Sequence, residues 1–193
     1  MELRTLRRDE TDAWLTLLEG LELADGWTGR ALFSRTLEAD PRFDPKQVWV
    51  AADGGELLAA VQVFPRRMRL LGHPVPCGGL GGVFTRGDRR GEGIASRLVG
   101  RVVEELRGAA GELALAFEPG EEAGLFEPHG FARWPQERVV VGPGGSPARP
   151  IAPPDDVELA NFDSARDLES VVAIHSYYSA SRSGTLVRDE TAW

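Results

Sequence analysis

The sequence predicts an α+β (α/β layered) fold, with a mixed, mostly antiparallel central sheet and helices on both of its faces. Two observations lead to this prediction. Several short apolar runs between residues 47 and 85 are separated by tight turns at residues 53–55 and 72–74, which is typical of an antiparallel meander. An apolar run, a glycine-rich loop and an amphipathic helical pattern then follow one another over residues 80–107.

The elements before this loop can be placed in order. Residues 1–7 are expected to form a short strand and residues 10–23 a helix with apolar residues on one side. A second helix is expected at residues 30–39, and Pro41 explains why it ends there. The strands that follow are expected at residues 47–52, 56–64, 66–71 and 75–85.

The main helix is expected to begin near Ile94 and to end near Gly108. Its apolar residues fall at helical spacing on one face, and they are Ile94, Ala95, Leu98, Val99, Val102, Val103 and Leu106. After it we expect an apolar, central strand at residues 112–118, a short helix at 121–129 and a closing strand at 131–141.

The bulk composition limits the function classes. The chain has 193 residues, of which 42% are hydrophobic and 27% charged, enough for one well-packed domain and an appendage. The formal net charge is −8, whereas a nucleic-acid-binding protein normally shows a basic excess or a basic face. The composition therefore argues against nucleic acid as a partner and is compatible with a cationic acceptor such as an amine.

The cellular location is predicted to be cytoplasmic. Cys77 is the single cysteine, so no intramolecular disulfide can form, which fits a reducing compartment. No apolar run approaches the roughly 20 residues needed to span a membrane. Glu19 and Glu22 interrupt the apolar stretch near the N-terminus, so that stretch is not a signal peptide.

The glycine-rich loop is the candidate binding site. A strand, a glycine loop and a helix leave several backbone N–H groups unpaired at the positive end of a helix dipole, which suits a phosphate or pyrophosphate. Gly91 and Gly93 lack Cβ and so let a ligand touch the backbone. The alternative is a plain helix start with a glycine-rich entry. The candidate residues are Arg89, Arg90, Gly91, Glu92, Gly93, Ile94, Ala95 and Ser96.

Two other phosphate-binding loops are excluded. A Walker A loop ends in Gly-Lys, and the only lysine of the chain is Lys46. Gly79-Leu80-Gly81 begins like a dinucleotide fingerprint, but Phe84 occupies the position of the third glycine and no helix begins there.

The spacing Arg90-x-x-Gly93-x-Ala95 resembles the acyl-CoA signature of the GCN5-related N-acetyltransferases (GNAT), and Gly130-Phe131 matches a Gly-Phe pair that these proteins carry downstream. The resemblance extends over residues 1–142, which we take as one domain. It implies the GNAT acyl-CoA N-acyltransferase fold, acetyl-CoA as acyl donor, and direct transfer to a primary amine of a small molecule or lysine side chain.

The resemblance also implies that the strands on either side of the signature helix splay apart to admit the pantetheine arm. The strand before the loop carries four glycines in six positions, and glycine in a strand often marks a bulge or a close approach by a ligand. A flexible hairpin arm is the alternative. The backbone of Val83, Phe84 and Thr85 would then hold the thioester carbonyl.

The residues that would transfer protons depart from the family pattern. Phe126 takes the position at which the family often has a tyrosine that protonates the leaving thiolate, and phenylalanine cannot donate a proton. Water or His129 is the expected substitute, unless His129 only caps its short helix. Glu118, at the end of the strand 112–118, is either a base that acts through water or a solvated strand end.

The acceptor site is expected near the loop between the first two helices, which lines it in relatives. Asp25 and Trp27 lie in this loop. Trp27 either packs against the acceptor or covers the core. No cluster of metal ligands occurs in the sequence, so no metal is expected.

Residues 143–155 form a Pro/Gly linker, after which residues 156–193 resemble the opening of a second copy of the fold. Residues 167–178 would be its first helix, and residues 185–189 resemble the second helix of the first copy. This arrangement is similar to tandem-domain acetyltransferases of the enhanced-intracellular-survival type, in a truncated or fragmentary form. An incomplete repeat exposes apolar surface, so a homo-oligomer formed through residues 156–193 is expected.

Two interpretations of the function stay open. The first is an acetyl-CoA-dependent N-acetyltransferase. The second is a catalytically weak or inactive acyl-CoA-binding or interaction module, which Phe126 and the incomplete repeat both allow. A purely structural partner domain is disfavoured, because the complete Arg90-Gly93-Ala95 loop is retained.

Overall fold

The computed structural model describes residues 1–23, 26–108, 113–116, 124–134 and 160–188. Over these ranges it confirms an α+β fold with a five-stranded mixed sheet. The elements in chain order are β1 (Glu2–Thr5), α1 (Thr11–Leu17), α2 (Gly29–Ala39), β2 (Val48–Asp53), β3 (Glu56–Leu70), β4 (His73–Thr85), α3 (Ile94–Gly108), β5 (Leu113–Ala116) and α4 (Ser164–Ala180).

The strands lie in the sheet in the order β1-β2-β3-β4-β5, which is also their order in the chain. Strands β1 to β4 pair antiparallel with one another, whereas β5 pairs parallel with β4. Because parallel strands need a crossover connection, α3 lies between β4 and β5 in sequence and packs on one face of the sheet.

The sheet has a core on each face. The α3 side chains Ile94, Leu98 and Val99 are buried with Val61 and Val63 of β3, as the helical pattern predicted. On the opposite face, Trp14, Leu18 and Phe33 from the α1 and α2 region are buried with residues of β2 and β3 that include Val50 and Ala60. Helices therefore cover both faces, and alternating residues of the central strand β3 belong to opposite cores.

Strand β3 is longer than expected, since the strands predicted at residues 56–64 and 66–71 are one continuous strand. Pro65 does not end it. The pairing of β2 with β3 stops at Val48 and Gln62, so Pro65 lies where one edge of β3 has no β2 neighbour, a position in which a sheet tolerates proline. The turn to β4 is at Leu71 and Gly72, which both have positive φ, and His73 already begins β4.

Helix α1 is shorter than expected. It ends at Leu17 and continues as one 3₁₀ turn, Leu18–Gly20, instead of reaching residue 23. At Gly20 the backbone approaches the ring of Phe84 so closely that a Cβ would lie 2.8 Å from Cζ. Helix α2 begins after Thr28, whose hydroxyl accepts the N–H of Ala31.

Some predictions fall partly outside the described residues. Of the helix expected at 121–129 the structure describes residues 124–129, which include only the 3₁₀ turn Glu127–His129. Of the strand expected at 131–141 it describes residues 131–134, which have no regular structure. The linker at 143–155 lies outside the described residues.

The C-terminal part corrects one prediction. Helix α4 matches the helix expected at 167–178, but the described residues after it, 181–188, contain turns and a bridge at Leu186 and no second helix. Arg69 N–H donates to the Thr185 carbonyl and Val187 N–H to the Arg67 carbonyl, so this segment pairs with β3 beyond the end of β2. A short apolar run is ambiguous between helix and strand, and here a free strand edge decides it.

The described ranges show neither a candidate membrane span nor a cluster of metal ligands. No helix there is both long and apolar enough to cross a membrane. The same part of the chain contains no group of three or more His, Cys, Asp or Glu side chains that could hold a metal ion.

Candidate active site

Strand β4 is distorted just before the glycine loop, as its glycines predicted. The register with β3 shifts between Gln62, which pairs with Gly81, and Ala60, which pairs with Phe84. The extra residues on β4 include Gly82, whose φ is +58°. A bulge of this kind bends the strand and re-aims the backbone that follows it.

The described pairing of β4 with β5 ends at the same place. The described pairs of β4 with β5 run from Cys77 to Leu80 on β4, and past Leu80 this edge of β4 has no partner among the residues that the structure describes. Val83 and Thr85 lie on β4 just past these described pairs.

The glycine loop turns the chain from β4 into α3. Gly91 and Gly93 have φ of +82° and +71°, the left-handed region that favours glycine. A Cβ on either residue would meet nothing within 4 Å, so the backbone conformation requires glycine here, and the space in front of the loop is open. The first backbone bond from α3 onto the loop runs from Arg97 N–H to the Gly93 carbonyl, which leaves the preceding N–H groups of the helix start available.

The two arginines of the loop differ in their partners. Arg89 forms a bidentate pair with Glu92, with Nε–Oε1 and Nη2–Oε2 distances of 2.7 and 2.8 Å. This hydrogen-bonded pair lowers the pKa of the Glu92 carboxyl. Arg90 folds back on β4, where Nε donates to the Thr85 carbonyl and the guanidinium lies 5.2 Å from the Phe84 ring centroid. Arg90 is thereby fixed against the end of β4.

A groove of about 850 Å³ joins these features. It is lined by all the residues predicted to bind the cofactor except Glu92, namely Val83, Phe84, Thr85, Arg89, Arg90, Gly91, Gly93, Ile94, Ala95 and Ser96. Four further residues complete the lining: Gly20, Leu21, Glu22 and Leu125. The structure therefore brings the end of β4, the glycine loop and the start of α3 to a single concave surface.

Glu22 is the residue that sequence reasoning missed. It lies after α1, where its backbone forms an isolated bridge with Thr28, and it is an exposed residue that lines the groove. The sequence placed it near the end of the helix expected at residues 10–23, where nothing pointed to a binding site. It lies in a loop because α1 ends at Leu17.

The residues predicted for the acceptor and the base are not found among the described lining of the groove. Trp27 is not among the residues that line the groove; its ring is 42% exposed and lies 6.0 Å from the guanidinium carbon of Arg35 on α2. Asp25 and Glu118 lie outside the described residues. None of these positions is therefore joined to the groove by a described contact.

Phe126 and His129 lie behind the groove. The Phe126 ring is 7% exposed and packs against Phe131 with 5.2 Å between centroids. His129 does not line the groove, and its Nε2 is 3.0 Å from the hydroxyl oxygen of Ser96. The histidine thus contacts the cofactor loop through one of its predicted members.

Comparison with known proteins identifies the family. A family model described as acetyltransferase (GNAT) domain matches residues 2–132, about two thirds of the chain. The chain belongs to the GNAT acetyltransferase family. The match ends before the linker and the C-terminal segment, so it concerns the sheet, the glycine loop and the groove.

Solved structures share the GNAT fold. Glucosamine-6-phosphate N-acetyltransferase from Arabidopsis thaliana matches with a TM-score of 0.54 and 16% identity, over 72% of this chain and 97% of that one. A GNAT family acetyltransferase from Brucella melitensis, in complex with acetyl-CoA, matches with a TM-score of 0.53 and 20% identity, over 68% and 82%.

Some GNAT relatives are much longer than this chain. A GCN5-related N-acetyltransferase from Kribbella flavida matches with a TM-score of 0.45 and 24% identity, over 56% of this chain. The match covers 27% of that relative, so the chain spans about a quarter of its length.

Proposed function

We propose that this GNAT protein is an acetyl-CoA-dependent N-acetyltransferase that acts on a primary amine, in a small molecule or a lysine side chain, by direct transfer in a ternary complex. One observation carries the proposal. The glycine loop, the helix start and the end of β4 line the same groove. A donor held at the loop therefore extends along the strand edge at which its acyl group would react.

The loop fits the diphosphate of CoA. Gly91 and Gly93 have the conformation that exposes their N–H groups, and the space where a Cβ would lie is empty. The start of α3 adds the positive end of a helix dipole. Thr85 lines the groove, and its buried hydroxyl has no hydrogen-bond partner among the described residues.

Acetyl-CoA would supply an acetyl group activated as a thioester. The chain's own contribution would be to hold the thioester carbonyl against backbone N–H groups of residues 83–85, past the described pairs of β4 with β5. Donors fixed in this way stabilise the negative charge that develops on the carbonyl oxygen. The side chains of these residues matter little for this step, because the backbone performs it.

The amine must reach the groove and lose a proton. Glu22 is the described carboxylate that lines the groove, and we propose that it attracts the cationic amine and accepts its proton, directly or through water. Asp25 and Glu118 stay proposed contributors to the acceptor side and the base, on sequence grounds alone. The amine itself is not specified by these residues.

A second candidate function is a weak or inactive acyl-CoA-binding module, favoured by Phe126. Its buried ring occupies the place of the tyrosine that often protonates the leaving thiolate in the family. The active-enzyme proposal therefore needs water to protonate the thiolate. His129, the other substitute expected from the sequence, has Nε2 engaged with Ser96.

Calorimetry with acetyl-CoA, followed by a free-thiol assay over a panel of amines, separates these functions. An active enzyme binds acetyl-CoA and releases CoA thiol in an amine-dependent way, and Glu22→Gln lowers that release without weakening acetyl-CoA binding. Binding without thiol release on any amine supports the binding module. Absence of binding contradicts both.

The C-terminal segment supports a proposal about assembly. The α4 side chains Ile174 and Tyr177 are exposed, Tyr177 to 89%, on a helix that continues into the strand paired with β3. We propose that residues 156–193 mediate a homo-oligomer. A tandem form of the enhanced-intracellular-survival type remains a sequence-based proposal, because the family match ends at residue 132.

A further inference from the structure

We propose that His129 is a positioning residue for the cofactor diphosphate: its ring donates a hydrogen bond to Ser96 and so turns the Ser96 hydroxyl proton into the groove. This inference rests on the proposed binding of CoA at the glycine loop. It assigns a role to a histidine that lies outside the groove lining, and it makes a short turn far along the chain part of the cofactor site.

The ring of His129 is held in place from two sides. Its Nε2 is 3.0 Å from Ser96 Oγ in the first turn of α3. One helical turn further on, the ring lies against Gly100, where a Cβ would be 3.0 Å from Cε1 and 3.2 Å from Nδ1. The His129 carbonyl accepts from Arg107 Nη2 at 3.3 Å. Because Gly100 has no side chain, α3 leaves room for the His129 ring at this position.

This packing decides which ring nitrogen carries the proton. Nδ1 faces the surface of Gly100 and has no hydrogen-bond partner among the described residues, whereas Nε2 has Ser96. A proton on Nε2 has the Ser96 oxygen as its acceptor, whereas a proton on Nδ1 would have no acceptor among the described residues. The favoured neutral form is consequently the one with the proton on Nε2, which donates to the Ser96 oxygen.

The consequence for Ser96 follows from its single proton. A serine hydroxyl has one donor and two acceptor positions. With one acceptor position taken by His129 Nε2–H, the proton of Ser96 is free to point into the groove, which Ser96 lines. A phosphate oxygen there meets a donor. If His129 accepted from Ser96 instead, the same oxygen would meet serine lone pairs and be repelled.

Binding measurements on acetyl-CoA and acetyl-pantetheine test this assignment, because acetyl-pantetheine lacks the diphosphate. Ser96→Ala and His129→Phe should each raise Kd for acetyl-CoA by about tenfold, the loss of one hydrogen bond to a charged group. Neither should change Kd for acetyl-pantetheine. His129→Asn keeps a donor and should recover part of the affinity for acetyl-CoA.

The double variant Ser96→Ala/His129→Phe gives the sharpest result. If His129 acts through Ser96, the double variant binds acetyl-CoA no more weakly than Ser96→Ala alone. Additive losses, or equal losses for both ligands, would overturn the positioning role and indicate packing only. His73→Gln, an exposed histidine at the β3–β4 turn, is the control and should bind both ligands like the parent. A parent protein that binds acetyl-pantetheine but not acetyl-CoA would overturn the proposed diphosphate site itself.

Discussion

Phe33 of α2 covers Gly82 of β4 so closely that a Cβ on Gly82 would lie 2.5 Å from the Phe33 Cζ atom. Gly82 is the bulge residue with positive φ, and its neighbours Val83 to Thr85 are the proposed carbonyl-binding backbone. One aromatic ring of α2 therefore packs against the distortion of β4 that directly precedes the proposed carbonyl-binding backbone.

Gly82→Ala should destabilise the protein by about 2–4 kcal/mol, from left-handed strain and a clash with Phe33. Gly54→Ala is a matched control, because Gly54 has a similar φ of +56° but open space around it. It should lose only about 1–2 kcal/mol. Urea unfolding measures both, and equal losses would show that Phe33 does not constrain the bulge.

Gly93→Asp should abolish CoA binding and leave the protein folded. The substitution adds a side chain and a negative charge where the diphosphate approaches the loop. In the parent, CoA at about 100 times Kd should stabilise the fold by about 2.7 kcal/mol, a Tm increase of roughly 5–10 °C. Thermal unfolding with and without CoA measures this. Gly54→Asp carries the same charge and similar strain away from the groove, so it should keep the full shift; an undiminished shift in Gly93→Asp would refute the loop assignment.

Gly100→Ala should have opposite effects in two backgrounds. In His129→Ala the added methyl only improves helix propensity, and the free energy of unfolding should rise by about 0.8–1 kcal/mol. With His129 present, the methyl presses on the ring, so the gain should vanish and acetyl-CoA affinity should fall. Denaturant unfolding of the parent, Gly100→Ala, His129→Ala and the double variant gives the coupling free energy between the two positions. A gain of equal size in both backgrounds would contradict the packing described for the ring.

The pair Arg4 and Glu10 should make stability depend on acidic pH. Arg4 of β1 donates two hydrogen bonds to the Glu10 carboxylate, at 2.8 and 2.7 Å, and both side chains are mostly buried. These bonds lower the pKa of Glu10 from its ordinary value of 4.5. The ionised form is thus favoured in the folded state, so the stabilisation is complete well above pH 4.5 and is lost as pH falls through the lower folded value.

Glu10→Gln should accordingly cost about 1–3 kcal/mol at pH 7, and the difference from the parent should shrink in acid. Urea unfolding across pH 2–7 checks the trend. Glu104→Gln removes an exposed partner of Arg101 and should cost less than about 0.5 kcal/mol at any pH. A Glu10→Gln deficit that stays constant down to the lowest pH would contradict the pKa shift.

The intact chain should self-associate through α4. Replacing Ile174 and Tyr177 by serine removes exposed apolar surface without touching the strand at residues 184–187, and it should convert the oligomer to a monomer. Light scattering on the intact chain, this variant and a version ending at Gly142 measures the masses. A monomeric parent would refute the proposal.

The cofactor side of the groove was predictable because its signals are local. Gly91 and Gly93 indicate a left-handed loop, and the helical spacing of apolar residues from Ile94 onward indicates the helix that follows it. Both features are complete within about 20 neighbouring residues, so no tertiary information is needed to place them.

The remaining features depend on contacts between distant segments. Glu22 joins the groove only because the backbone at Gly20 packs on Phe84 of β4. His129 is recognisable as a partner of Ser96 only when the turn Glu127–His129 lies on α3. Leu186 was expected in a helix by likeness to α2, and it is extended because β3 has a free edge there. The spacing of residues within one segment does not show such contacts between distant segments.

The pairing of the C-terminal segment with β3 also has a consequence for the order of folding. The strands β2 to β4 follow one another in chain and in space and are joined by tight turns, so their contacts close short loops. The hydrogen bond from Leu71 N–H to Ser183 Oγ joins residues 112 apart. Loop-closure entropy rises with separation, so docking of this segment is expected to be the last step, made on a sheet already formed. Losing it early in unfolding, at low denaturant, would leave the meander and its glycine loop intact.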